Sequence, residues 1–134
     1  MPIYTVVTST STLSDQTKAT VAAEITKIHA AITGAPTSFV HVVFYDQPQA
    51  NVFTDATPSQ PMLITGWTRA GRADSDKKRL AKDISASCSR VTQIPEARIL
   101  VIIQDSPARF AVEGGRVLPE PGAEDDWLDE AAAG

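Results

Sequence analysis

The stretch from residue 61 to residue 105 reads PMLITGWTRAGRADSDKKRLAKDISASCSRVTQIPEARILVIIQD, and it repeats the pattern that begins at Pro2. Sliding the chain by 59 positions (61 − 2) gives ten identities in the 56 ungapped pairs between residues 2–57 and 61–116. Self-similarity at a fixed period indicates copies of one structural unit. The sequence therefore predicts two units, at about 2–57 and 61–116, in a single domain with a C-terminal tail over residues 117–134.

The first copy has the pattern strand, helix, strand. Residues 2–9 are rich in β-branched side chains, which favour a strand. A helix is predicted between Ser14, which can cap its start, and Gly34, which can end it in a left-handed conformation. Residues 38–46 return as a strand. The predicted helix carries an apolar stripe at helical spacing, formed by Val21, Ile25, Ile28 and Ile32.

The second copy predicts a strand at 62–68, a helix from about 74 to 91 and a strand at 98–105. A helix between two strands implies a parallel pair joined by a right-handed crossover. Two such units give an α/β (α+β) fold: a tandem β-α-β repeat whose four-stranded sheet carries both helices on one face. The chain has no spare helix for the other face, so we expect a second copy of the chain to cover it.

The C-terminal part lies outside these paired strands. Residues 110–118 predict a C-terminal hairpin turning at Gly114-Gly115. The acidic residues 119–134 are compatible with a frayed, solvated tail or with a segment docked through Trp127.

Composition excludes several classes of function. The chain has 134 residues, a formal net charge of −4 and no apolar run of the roughly 20 residues that a membrane span needs. We therefore expect no nucleic-acid partner and no membrane partner. One cysteine, Cys88, and two histidines do not suggest a metal site. No secretion signal is visible, so we expect a cytoplasmic protein.

Pro2 is the first candidate catalytic residue. Loss of Met1 would leave its secondary amine free at the head of a strand. An α-amino group has an ordinary pKa near 8, and burial or neighbouring cations lower it, so such a nitrogen can exchange protons near neutral pH. A proline after the initiator methionine can equally be without functional meaning.

Several segments, in their order and spacing, resemble the tautomerase superfamily and, within it, the cis-3-chloroacrylic acid dehalogenase-like subgroup. The resemblance implies the tautomerase fold, a homotrimer, no cofactor and a small carboxylate substrate. The segments that carry it are Pro2-Ile3-Tyr4, Ile25-Thr26-Lys27-Ile28-His29, Thr33-Gly34, Gln47-Pro48, Asn51-Val52-Phe53, residues 66–72 (GWTRAGR) and residues 112–122 (VEGGRVLPEPG).

The resemblance also implies roles for individual residues. Pro2 matches the catalytic amino-terminal proline, and Glu113 matches a glutamate that positions or activates water. His29 matches a histidine that helps to bind the substrate carboxylate. Arg69 and Arg72 match two arginines that bind and polarise that carboxylate, a task suited to planar guanidinium groups. Each could instead be an ordinary packed or solvated side chain.

Ile102 departs from the family pattern. It stands where the family's dehalogenase has a tyrosine that works with the glutamate, which disfavours efficient dehalogenation more than enol chemistry. Tyr4 lines the pocket or belongs to the core. His41, which alternates with other strand residues, is expected to be structural or on the surface. His29 aligns with Cys88 in the second copy, so the first copy has a polar residue at the position where the second copy has an inert one.

Three functions remain open from the sequence. The first is a keto-enol tautomerase for small enol or 2-oxo acids, with at most weak cis-3-haloacrylate dehalogenase activity. The second is a true dehalogenase or hydratase of that type, in which Glu113 directs water. The third is a non-catalytic trimeric binding protein, which retention of Met1 would favour.

Overall fold

The computed structural model describes residues 1–133, in which a four-stranded sheet packs against two long helices. The sheet has the order β2-β1-β5-β6, with β1 parallel to β2, β5 parallel to β6, and β1 antiparallel to β5. In chain order the elements are β1 (Ile3–Ser9), α1 (Asp15–Thr33), β2 (His41–Gln47), β3 (Phe53–Thr54), β4 (Thr57–Pro58), β5 (Met62–Arg69), α2 (Asp74–Thr92), β6 (Ile99–Ser106), β7 (Val112–Glu113), β8 (Arg116–Val117) and α3 (Glu124–Ala133).

The helix ends follow the predicted signals. The Ser14 side chain accepts a hydrogen bond from the Thr17 backbone N–H at 3.1 Å, which satisfies a free donor in the first turn of α1. Gly34 ends α1 in the left-handed region with φ of 74°. Gln93 adopts the same conformation after α2, with φ of 64°.

The helices cover one face of the sheet and leave the other open. Val6, Ile25, Ile64 and Ile84 are fully or almost fully buried between sheet and helices. The opposite face carries a row of exposed apolar side chains, comprising Ile3, Val43, Tyr45, Trp67, Leu100 and Ile102. An apolar face of this kind marks a surface that another molecule covers.

The 59-residue offset holds for the helices, for β2 with β6 and for the hairpins, but it is wrong for the first strands. Ile3 pairs with His41, whereas Leu63 pairs with Leu100, so β1 and β5 correspond at an offset of 60 (63 − 3). Side chains along a strand alternate between the two faces of the sheet. An offset of 59 would therefore match the buried side chains of β1 with side chains on the open face of β5. The structural counterpart of Pro61 is therefore Met1 rather than Pro2.

Each copy ends in a short hairpin. The predicted turn at Gly114-Gly115 joins β7 to β8, with φ of 62° and 78° at the two glycines. A matching hairpin, β3–β4, follows the first copy. The acidic tail is docked, because Trp127 Nε1 donates to the Val117 carbonyl at 2.8 Å and its ring meets Phe39 edge to face at 5.6 Å.

Candidate functional site

The amino end of the chain lies at one end of the sheet, where polar side chains from both copies meet. Pro2 is buried, and its carbonyl accepts a hydrogen bond from the His41 backbone N–H at 3.1 Å. The Met1 amine lies 3.7 Å from Glu113 Oε2. Burial lowers the pKa of this amine and nearby Arg69 lowers it further, while Glu113 opposes both.

A cavity of about 280 Å³ opens in front of this amine. Its walls are Met1, Ile3, His41, Ala111, Val112, Glu113 and Leu118. Removal of Met1 would enlarge the cavity and leave the Pro2 nitrogen as the terminal amine beside it.

Tyr4 and His29 form a buried pair beneath the amine. The Tyr4 hydroxyl lies 2.8 Å from His29 Nδ1, and both side chains are fully buried. Burial lowers the pKa of His29 to about 3, with help from the positive charges of Arg72, Arg69 and the terminal amine. Burial likewise raises the pKa of Tyr4, so its hydroxyl stays protonated and can donate to Nδ1. The neutral His29 then carries its proton on Nε2, a buried atom without a hydrogen-bond partner.

Gly66 provides the space for the Tyr4 ring. It is the register partner of Tyr4 on β5, and a Cβ atom there would overlap Tyr4 Cε1 and lie 2.8 Å from Cδ1. Only glycine lets the ring cross the neighbouring strand at this distance. Tyr4 is therefore a core side chain, the second of its two predicted alternatives, and its hydroxyl contacts His29. It is not among the residues that line the cavity at Met1.

Arg69 is enclosed by the docked tail. Its Nη1 donates to the Pro119 carbonyl and its Nη2 to Glu124 Oε1, both at 2.7 Å, and its guanidinium lies 5.3 Å from the centre of the Phe39 ring. Burial alone would raise the pKa of Glu124, but hydrogen bonds from Arg69, from Gly122 N and from its own backbone N–H hold the pKa below its ordinary value. The buried ion pair thus fixes Arg69 as a cation next to the site.

Arg72 keeps a terminal nitrogen free for hydrogen bonding, whereas only the Nε of Arg69 lacks a partner. Arg72 Nη1 donates to the Arg69 carbonyl at 3.0 Å, while its Nη2 is buried and has no partner. Burial and Arg69 lower the pKa of Arg72, and its charge acts on both His29 and Tyr4. The structure therefore brings the two predicted arginines together but leaves them unequally available.

Sequence reasoning missed two residues of this region. His41 is on the surface, as one of the expected alternatives held, but its contact was not foreseen: its Nε2 lies 2.8 Å from Glu113 Oε1. The parallel pairing that sets Ile3 opposite His41 could have placed it here. Glu124 gave no local signal, because its partner Arg69 is far away in the sequence. Ile102 lies on the exposed sheet face.

Two further observations concern other classes of site. Among residues 1–133, no group of three or more histidine, cysteine, aspartate or glutamate side chains is arranged to hold a metal ion. In the same part of the chain, no helix combines the length and the apolar character that crossing a membrane requires.

Comparisons with known proteins agree with this architecture. The model of the family described as "Putative oxalocrotonate tautomerase enzyme" matches residues 1–131. The crystal structure of N1, a member of the cis-3-chloroacrylic acid dehalogenase family, superposes with a TM-score of 0.92 at 27% identity and covers 95% of this chain and 90% of its own.

Two other solved structures share the fold. Native Ps01740 has a TM-score of 0.81 at 33% identity, over 83% of this chain and 99% of its own. An asymmetric trimer of wild-type fused 4-OT has a TM-score of 0.81 at 24% identity, over 86% of this chain and 94% of its own. No curated protein sequence matches. The chain therefore belongs to the tautomerase superfamily, with a fold like that of the cis-3-chloroacrylic acid dehalogenases.

Proposed function

We propose that this chain is a cofactor-independent tautomerase that acts on small enol or 2-oxo carboxylates through the free amine of Pro2. The observation that supports it best is the environment of the chain's terminal amine. In the structure that amine belongs to Met1. Burial and Arg69 lower its pKa, the Glu113 carboxylate lies 3.7 Å away, and the charge of the amine acts on the neutral His29. The Pro2 nitrogen would enter the same surroundings once Met1 is removed. A nitrogen whose pKa is brought toward neutrality can both accept and return a proton.

The proposed reaction moves one proton from oxygen to carbon. The unprotonated Pro2 nitrogen takes the enol hydroxyl proton, the electron pair on oxygen reforms the C=O bond, and the protonated amine returns the proton to the former vinylic carbon. No atom is gained or lost. The reverse direction uses the same groups, so the enzyme interconverts the two tautomers.

The other side chains hold the substrate. Arg72 Nη2, a buried cationic donor without a partner, is the direct ligand of the substrate carboxylate in this proposal. Arg69 takes part in the predicted clamp through its charge and through its Nε, which has no partner, since its two terminal nitrogens donate to Pro119 and Glu124. The free Nε2–H of His29 is suited to hydrogen-bond the carbonyl or enolate oxygen or a carboxylate oxygen.

Enol-to-keto conversion of a phenylpyruvate-like acid, followed by ultraviolet absorbance, tests the proposal. We expect turnover by a preparation whose intact mass shows that Met1 is absent, and its loss in Pro2→Ala. Undiminished turnover by Pro2→Ala would show that the secondary amine of proline is not required for catalysis.

The position of Glu113 supports a second candidate, the hydration and dehalogenation of a cis-3-haloacrylate-like acid. Glu113 Oε2 lies 3.7 Å from the Met1 amine, so it faces the end of the chain, where it could take a proton from water while the oxygen bonds to the β-carbon. A protonated Pro2 would give its proton to the α-carbon, and the halohydrin formed would then lose hydrogen halide. We rank this reaction second because Ile102 stands where the family's dehalogenase has a tyrosine that works with the glutamate. Halide release as fast as tautomerisation in one preparation would reverse the ranking.

We propose that the working form is a homotrimer. The open sheet face, with Trp67, Leu100 and Ile102 between 43% and 52% exposed, is too apolar for a surface facing water. The fused 4-OT structure that shares the fold is a trimer. Sedimentation velocity should give three chains per particle, and Leu100→Glu should dissociate it. A monomeric wild-type protein would contradict this assembly.

A further inference from the structure

We propose that His41 is a positioning residue that holds Glu113 for water addition at the Pro2 site. This inference rests on the second candidate reaction, in which Glu113 directs water. The observation that supports it is that His41 contacts both Pro2 and Glu113. The His41 backbone N–H holds the Pro2 carbonyl at 3.1 Å, and its side-chain Nε2 lies 2.8 Å from Glu113 Oε1.

Glu113 needs such a partner because of where it sits. It lies on the two-residue strand β7, next to a Gly-Gly turn, and its side chain is 39% exposed. Its partner across the hairpin is Arg116. Arg116 instead donates to the Trp127 carbonyl at 2.8 Å and to Glu130 at 3.2 Å, so it leaves the Glu113 carboxylate free for His41.

The two oxygens of Glu113 then have separate tasks. Oε1 accepts from the Nε2–H of His41, which leaves Oε2 directed toward the chain terminus, 3.7 Å from the Met1 amine. Because His41 is anchored to Pro2 through its backbone, it fixes the distance between the carboxylate and the catalytic nitrogen. A misplacement of about 1 Å at a reacting group costs as much as about 100-fold in rate.

The test measures two reactions in five proteins: wild type, H41F, H41Q, E113Q and the double variant H41F/E113Q. Hydration or halide release from a cis-3-haloacrylate reports on Glu113, and enol-to-keto conversion reports on Pro2. We expect E113Q to lower hydration at least about 100-fold. H41F should lower the kcat of hydration about 10-fold with KM unchanged, and enol conversion should stay within about threefold.

Two controls separate positioning from folding. H41Q, whose amide can still donate to Glu113, should restore hydration to within about threefold of wild type. In the E113Q background, H41F should have no further effect, because a residue that acts through Glu113 cannot act without it. The melting temperatures of all five proteins should agree closely, since the pair is exposed.

Each contrary outcome has one meaning. Wild-type hydration in H41F, or an additive loss in the double variant, would overturn the inference. A wild-type protein that tautomerises but adds no water would also overturn it and leave the proposed tautomerase intact. A wild-type protein inactive in both assays would overturn the proposed function, and the inference with it.

Discussion

The two ends of the four-stranded sheet are built from equivalent parts and differ in the side chains that could do chemistry. Each end has the starts of one copy's two parallel strands, the end of the antiparallel strand beside them and the end of that copy's helix. It also has the hairpin of the other copy. At the amino end these parts supply Glu113, His41, His29 and Arg69. The equivalent positions at the other end hold Thr54, Leu100, Cys88 and Ser9.

Both ends also contain a cavity. The cavity at the second end measures about 520 Å³, against about 280 Å³ at the amino end. Pro61 and Leu63 take the structural places of Met1 and Ile3 in its wall, and Arg98 donates to the Gln60 carbonyl at 2.7 Å. The comparison shows that the fold supplies a cavity at each end of the sheet, and that among residues 1–133 the terminal amine, the Glu113 carboxylate and both histidines lie at one of these ends.

The largest effect should come from substituting one proline and not the other. Pro2→Ala should lower kcat/KM for enol-to-keto conversion by about 100- to 10,000-fold, because it removes the secondary amine that exchanges the proton. Pro61→Ala changes a proline in the wall of the cavity at the other end, at the structural place of Met1, and should stay close to wild type. Similar losses in both variants would mean that the ends do not differ as described.

Removing the buried carboxylate at the amino end should cost much more stability than removing an exposed one. Glu124→Ala leaves Arg69 as an uncompensated buried cation and should lower the free energy of unfolding by about 3 kcal/mol. Glu130→Ala, which breaks the exposed pair with Arg116, should cost less than about 1 kcal/mol. Urea unfolding at one fixed protein concentration gives both values, and equal losses would contradict the buried pair.

The same pair has a pH dependence with a definite sign. The pKa of Glu124 is lower in the folded chain than its ordinary value of 4.5, so the unfolded chain binds the proton more readily. Its contribution to stability is present above pH 4.5 and is lost as the pH falls through the lowered folded value. Glu124→Gln should therefore flatten the acid limb of a plot of unfolding free energy against pH.

Substrate affinity should depend on Arg72, the arginine with a free terminal nitrogen. Arg72→Ala should raise KM for a carboxylate substrate by about 10-fold or more, since it removes a charge-assisted hydrogen bond. Arg98→Ala, at the second cavity, serves as the control and should leave KM unchanged. A normal KM in Arg72→Ala would assign the carboxylate to another group.

The smallest effect concerns the protonation of His29. Because burial and nearby cations lower its pKa to about 3, the ring should stay neutral throughout the range from pH 5 to 8. Between pH 3 and 6.5 the unfolded chain binds this proton and the folded chain does not, so this residue makes stability rise with pH there. A nuclear magnetic resonance titration with a midpoint near 6.5 would contradict the buried environment, and His29→Gln identifies the signal.

Local signals in the sequence predicted most of the fold. Ser14 and Gly34 mark the ends of α1, and the Gly114-Gly115 turn marks the last hairpin, because capping and turn formation depend on neighbouring residues. The one-residue shift between β1 and β5 was missed. The loop between strand and helix is one residue shorter in the second copy, and an ungapped comparison cannot show this difference. Strand pairing and alternating burial were needed to find it.

The site was predictable only in part. The family resemblance named Pro2, Arg72 and Glu113, but the partners of these side chains depend on the tertiary structure. Glu124 reaches Arg69 across more than fifty positions through the docked tail, and His41 reaches Glu113 through strand pairing and a hairpin. Such contacts leave no periodic pattern in a single sequence.

The central claim is that the free Pro2 amine is the catalyst, and it is tested most directly by combining intact mass with turnover. Preparations that differ in the fraction of chains lacking Met1, measured by intact mass, can be assayed for enol-to-keto conversion. We predict that turnover follows the fraction that lacks Met1 and that Met1-retaining chains are essentially inactive. Equal turnover by Met1-retaining chains would contradict the account, because their Pro2 nitrogen lies within a peptide bond.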